Sequence, residues 1–159
     1  MSRWDFEGLG HLVQAIDHLQ RVPERVAPAV AQGVHELIAG EFATGTDPYG
    51  DPWEPLSEAY LARRPDRGHP PLTDTGEMRD SVMVTTYPNG ASSVAIDVRI
   101  ADCRPFGGVP APHQDGWTGA FGSGPARPMV PDHGLPGSWD AMFREVIRAQ
   151  IISDLKGAP

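Results

Sequence analysis

Basic residues are scarce in this chain: 13 Lys and Arg stand against 21 Asp and Glu in 159 residues, a formal net charge of −8. No basic cluster is longer than Arg63-Arg64 followed by Arg67. Wrapping nucleic acid or gripping an anionic membrane needs a basic surface that displaces counterions, so neither is expected. Cysteine is scarcer still. Cys103 alone closes no intrachain disulfide and completes no Cys-rich zinc site, and it reads as a free thiol. Long apolar runs are missing too, with nothing near the ~18 consecutive apolar residues of a membrane span. Met1-Ser2-Arg3-Trp4-Asp5-Phe6-Glu7 puts acids where a signal peptide carries positive charge ahead of an apolar stretch. The expectation is a soluble protein made in a reducing cytoplasm.

Glycine and proline are plentiful, at 18 and 17 residues, yet 40% of the chain is apolar, more than a disordered composition carries. They crowd into residues 45–76 and 105–137. Two long Pro/Gly-rich loops are therefore expected, threaded through one domain spanning residues 1–159. A chain of this length buries roughly 68–70% of its unfolded surface around a single core.

Between the loops the apolar periodicity changes. Leu9, Leu12, Val13, Ile16 and Leu19 form one stripe, predicting a short amphipathic helix over residues 8–20. Val26, Val30, Val34, Leu37, Ile38 and Phe42 predict a longer one that ends by Thr44-Gly45. Pro28 lacks an N–H, so that helix either starts near residue 27 or carries a kink there. Residues 82–87 and 93–100 flank the turn cluster Pro88-Asn89-Gly90, and Val94, Ile96, Val98 and Ile100 alternate with Ala95, Asp97 and Arg99. That is a hairpin with one buried face. Ala126 to Val130 reads as a third, edge strand bounded by prolines. Ser138 is placed to cap a final helix carrying Trp139, Met142, Phe143, Val146, Ile147, Ile151 and Leu155 on one side. The order predicts an α+β domain, an antiparallel sheet with helices packed on one face.

The strings that could carry chemistry are weak. Asp74-Thr75-Gly76 is the tripeptide of the aspartic-protease turn, where two aspartates share a proton. Here Thr73 stands where an apolar residue precedes the Asp, and Glu77 where a small residue follows the Gly. The favoured reading is a helix cap, with Asp74 and Glu77 at capping-box spacing. The six histidines lack the short spacings of metal ligands. Asp47, Asp51 and Glu54 do not match a calcium loop. Gly119, Gly122 and Gly124 lack a phosphate-loop setting, and Ser123 lacks a triad. No catalytic, cofactor-binding or metal-binding residue is expected, and no cofactor.

Residues 45–57, Gly45-Thr46-Asp47-Pro48-Tyr49-Gly50-Asp51-Pro52-Trp53-Glu54-Pro55-Leu56-Ser57, follow Phe42. This segment resembles the phage virion morphogenesis (tail completion) family, whose members carry a Gly-x-Asp-Pro-x-Gly-x-x-Trp-x-Pro-Leu-Ser stretch. Leu72 to Val82 resembles the family's Leu-x-x-Thr-Gly-x-Leu-Arg-x-Ser-Ile element, with Met78 and Val82 as apolar swaps. His113-Gln114-Asp115-Gly116 and Pro125-Ala126-Arg127-Pro128 are similar to two further elements, although Pro110-Ala111-Pro112 replaces the Tyr and Ile usual before that His. The resemblance covers residues ~25–150.

The resemblance implies a structural subunit of a tailed phage virion, not an enzyme, at the head-tail junction or tail end: a neck, tail completion or tail terminator protein. Its implied partners are further copies of itself in a ring, six by analogy with a six-fold tail, and neck, connector and tail tube proteins. DNA would only pass through the lumen, and no membrane is involved. Assembly would occur in the host bacterial cytoplasm, and the final location would be the virion. The alternatives are a minor tail or assembly protein or, further off, an aspartic protease using Asp74. Physically, Asp47 and Pro48 suit a turn, Gly50 a positive φ, and Trp53 an anchor for an extended loop. Asp74 and Thr75 read as the cap, and Arg79 and Arg127 as element-boundary residues able to pair with acids of a neighbouring subunit.

Overall fold

The computed structural model describes residues 13, 16–17, 20–63, 70–73, 75–89, 93–100, 110–119 and 122–157. Asp74 and Cys103 lie outside this set, as does most of the predicted first helix, of which Val13, Ile16, Asp17 and Gln20 are described and helical.

The backbone of the fold is the long helix α1 (Val22–Thr44). Val22, Val26, Val30, Val34, Ile38 and Phe42 recur at every fourth position and are all buried, which places the core along one side of it. Pro23 sits in the first turn, where its missing N–H costs nothing. Pro28 lies inside the helix, so of the two sequence expectations the late start is corrected. Pro28 and Glu24 are both exposed, and the carbonyl of Glu24, left without its helical donor, is on the side that water reaches. Gly45 ends the helix at φ 71°, its N–H bonding Glu41 O at 2.8 Å.

Two short helices follow, α2 (Glu58–Arg63) inside the first predicted loop and α3 (Glu77–Asp80) beside the hairpin. The expected capping box is absent. Glu77 is the first residue of α3 and cannot be its third, and the cap position is Gly76 at φ 79° with no side-chain cap bond. Thr75 Oγ1 only reaches Glu77 N at 3.4 Å.

Strands β1 (Val82–Pro88) and β2 (Val94–Ile100) pair antiparallel with Val84 opposite Val98 and Thr86 opposite Ile96, confirming the predicted hairpin. Val82, Val84, Val98 and Ile100 pack on the core beside α1. The second predicted loop contains α4 (Pro110–Asp115) and a small hairpin of β3 (Trp117–Gly119) and β4 (Gly122–Gly124).

The predicted third strand does not form. Residues 126–130 make no strand pairing, and their N–H groups go elsewhere: Arg127 N to His113 O at 2.6 Å, Met129 N to Gln114 Oε1 at 2.8 Å.

The last helix, α5 (Gly137–Gly157), begins one residue before Ser138, and Asp140 N bonds Pro136 O, so Ser138 is not the cap. α5 packs on α1. The two helices run antiparallel, because Arg25 meets Asp154 at 2.5 Å, Gly33 lies beside Met142, and Glu41 meets Trp139. A Cβ at Gly33 would stand 2.6 Å from Met142 Sδ, so the missing side chain permits the close approach. Helices with an antiparallel hairpin make the domain α+β, as the sequence predicted.

Candidate functional site

Just past α1 the chain turns on itself. Asp47 Oδ1 accepts the N–H groups of Tyr49 and Asp51, each at 2.9 Å, a turn that a short carboxylate side chain closes on its own backbone. Asp47 N bonds Asp51 O at 2.8 Å, Gly50 supplies φ 96°, and Thr46 bridges Pro52. Trp53 N returns to Gly45 O at 2.8 Å, closing the loop where it opened.

This turn is clamped to residues 127–133. Trp53 is buried edge-on to Phe42, with ring centroids 5.5 Å apart, and its Nε1 donates to Pro128 O at 2.8 Å. In the opposite direction Arg127 donates from Nε to Glu54 O at 2.8 Å and from Nη2 to Pro55 O at 3.1 Å. Gln114 braces the same segment: its Oε1 accepts from Met129 N and Val130 N, and its Nε2 donates to Val130 O at 2.8 Å.

Tyr49 fastens the outer end. Its hydroxyl donates to His133 O at 2.8 Å and accepts from His133 N and Asp132 N, while its ring stacks on that of His133 at 4.2 Å. His133 Nδ1 bonds Asp132 Oδ1, which holds the Asp132 carboxyl below its ordinary range. Tyr49→Phe keeps the stack and removes the hydroxyl. It is expected to cost about 1 kcal/mol, lowering the melting temperature by about 2–4 °C in a domain of this size. Thermal unfolding followed by circular dichroism checks this, and an unchanged midpoint would count against the hydroxyl as a fastening.

Beneath the clamp lies a buried acid. Glu41 is 7% exposed; its Oε1 accepts from Trp139 Nε1 at 3.4 Å, and its Oε2 has no partner. Burial pushes this carboxyl up to about 8, nearby Asp47 adds to the rise, and the Trp139 bond opposes it. Beside it is an open cavity of about 480 Å³ between α1, the 46–50 turn and the start of α5, with Glu36, Thr44, Thr46 and Ser138 among its walls.

Of the residues singled out in the sequence, Asp47, Trp53 and Arg127 meet in this clamp. The Arg127 guanidinium is buried and its bonds are spent within its own chain, so it is not turned toward a neighbour's acids. Thr75 and Arg79 lie apart, Arg79 bonding the adjacent Asp80 at 2.7 Å with both exposed. Tyr49, Gln114, Glu41 and Trp139 were not anticipated in these roles. Glu41 did carry a signal, since it follows Val34 by seven residues and Ile38 by three and so falls on the buried stripe. Among the described residues no group of three or more His, Cys, Asp or Glu side chains is placed to hold a metal ion.

The three sequence segments that converge here lie far apart in the chain: the Gly45 to Ser57 stretch, His113-Gln114, and Pro125 to Pro128. A model of the phage virion morphogenesis family matches residues 5–151. The chain belongs to that family. No curated protein and no solved structure matches it. For a phage virion morphogenesis protein, the clamp gives its motif segments a physical task. Gly50 and Asp47 shape the turn, Trp53 and Arg127 tie it to the 127–133 segment, and Gln114 replaces a missing strand partner. Membership gives the chain a role in phage virion assembly. No helix among the described residues is long and apolar enough to cross a membrane.

Proposed function

We propose that this protein is a structural subunit of the tailed phage virion, working as a ring of identical copies at the head-tail junction or tail end, in the role of a neck, tail completion or tail terminator protein. The observation that carries this reading is the clamp, in which the family's motif segments bond to one another. Its donors and acceptors hold loops in shape and supply no nucleophile with a base. Loops fixed in this way present constant surfaces, which a ring needs for its heterologous contacts. The protein acts without catalysis, binds no cofactor, and is assembled in the host cytoplasm with neck, connector and tail tube proteins. Its net charge of −8 suits a lumen through which DNA passes without being gripped.

Electron microscopy of purified virions, with the subunit located in the map, tests the reading. Density for a ring of this chain at the neck or tail end is the expected result, with six copies as the expected number. Its absence from mature particles would overturn the structural role and leave an assembly factor.

A further inference from the structure

Helix α5 has two faces with different fates. One packs on the core beside α1 through Trp139, Met142, Phe143 and Val146. The face turned away carries Ala141, Glu145, Arg148, Ile152 and Leu155, all exposed. Ile152 and Leu155 are 41% and 63% exposed, although the sequence counted Leu155 with the core side. This surface dips into an open hollow of about 510 Å³, lined by Ala141 and Ala149 together with Arg144, Glu145, Arg148 and Ile152.

The order of these residues says what fits there. Ala141, Glu145, Arg148, Ile152 and Leu155 are spaced four, three, four and three apart, the narrow seam along which two long helices pack at a small angle. The seam reads small, acidic, basic, large, large, and its first four members are complementary to their own reverse. A second α5 laid antiparallel over the first, about a two-fold axis level with the Val146–Ile147 peptide, places Glu145 opposite the second copy's Arg148 and Arg148 opposite its Glu145. Ile152 then lies over Ala141 and Leu155 over the small Ser138, each twice by symmetry.

The charges select this register. Among the described residues Glu145 and Arg148 have no ion pair or hydrogen bond, whereas the adjacent Arg144 is taken by Asp140 at 2.7 Å. Parallel helices would set Glu145 against Glu145 and Arg148 against Arg148, like charges at both levels. Sliding the antiparallel pair by seven residues would press Arg148 against Ile152 and Glu145 against Leu155, charges against apolar groups.

We infer that two copies of this protein pair through the outer face of α5, antiparallel, with reciprocal Glu145–Arg148 contacts flanked by Ile152–Ala141 contacts. A two-fold contact is complete once two copies meet and closes no ring by itself. It is therefore distinct from the ring contacts proposed above and stands or falls independently of them. The face is one helix wide and about 26 Å long from Ser138 to Leu155. A contact of that size forms and separates with concentration, and salt weakens its charge pairs.

Sedimentation of the full chain over a concentration series tests the pairing, with charge variants at these two exposed helical positions. Glu145→Arg and Arg148→Glu each make both cross-pairs repulsive, and circular dichroism checks that each variant is folded. Each is expected to sediment at half the parent's mass, whether the unit that pairs is one copy or a ring. The double variant E145R/R148E restores opposite charges and is expected to recover the parent's mass. An equimolar mixture of the two single variants, differently tagged, is expected to recover it as a species joining both tags, because each copy supplies the charges that the other lacks. A parent that shows no doubling at any concentration would overturn the pairing. So would single variants that pair as the parent does, or a double variant and a mixture that both stay at half mass.

Discussion

Trp53→Ala is expected to destabilise the domain by about 3–5 kcal/mol, a large share of the 5–15 kcal/mol that holds a typical domain folded. Three losses act together. The cavity left beside Phe42 is lined by core side chains that are themselves fully buried and cannot collapse into it without moving α1. The carbonyl of Pro128 loses its donor. The 45–57 loop then depends on Arg127 and the Asp47 turn alone. A fall in the melting temperature of about 6–20 °C follows from the usual scaling for this size. Limited proteolysis should cut first within residues 45–57. Trp53→Phe separates packing from bonding: it keeps a ring against Phe42 and gives up the N–H, at a cost of about 1–2 kcal/mol. If Trp53→Ala melted within 2 °C of the parent, Trp53 would not be the anchor of this loop.

Trp53 was legible as an anchor because a tryptophan in a Pro/Gly-rich stretch has a large apolar area to bury and an N–H to place. Its acceptor, Pro128, was not legible, because nothing local at residue 53 points 75 positions onward. The same contrast runs through the fold. Helix α1 and the β1–β2 hairpin were readable because their signals, an apolar residue at every fourth position and strict alternation around a turn, are complete within the segment. Residues 126–130 misled for a physical reason. Their pattern is that of an edge strand, and their N–H groups are satisfied, but by the Gln114 side chain and the His113 carbonyl. Side-chain bonds of this kind leave no periodicity to read. Helix α3 shows the limit of spacing arguments, since Asp74 and Glu77 stand at the right separation while the helix starts too late for a capping box.

The exposure of Ile96 teaches something different. Alternation placed it correctly on the inner face of the sheet, and α1 and α5 leave an open groove beside it. A sequence pattern records which face is made to be buried, without saying by which molecule.

Glu41 gives the second large effect, and it depends on pH. In the unfolded chain its carboxyl ionises near 4.5, and in the folded protein burial pushes this up to about 8. Below pH 4.5 both states hold the proton and the residue adds no penalty. As pH rises from 4.5 to 8 the unfolded state loses its proton and the folded state keeps it, so stability falls by about 1.4 kcal/mol per pH unit. Above pH 8 both states are ionised and the loss levels off, at about 3–5 kcal/mol in total. Glu41→Gln removes the titration. Its amide oxygen can still accept from Trp139 Nε1, and it carries no charge to strand beside the unpartnered position of Oε2. The variant should therefore equal the parent near pH 4.5 and exceed it increasingly toward pH 8, with Asp47→Asn giving a smaller gain in the same direction because Asp47 contributes to the rise. Urea unfolding of parent and variant in parallel at pH 5, 6, 7 and 8 reads the difference directly and cancels every other titrating group. A difference that stays constant across the series would mean that Glu41 ionises as an ordinary carboxylate in the folded protein. A growing difference would mean that Glu41, beneath the clamp and bonded to Trp139, is a neutral acid in the folded protein near pH 7.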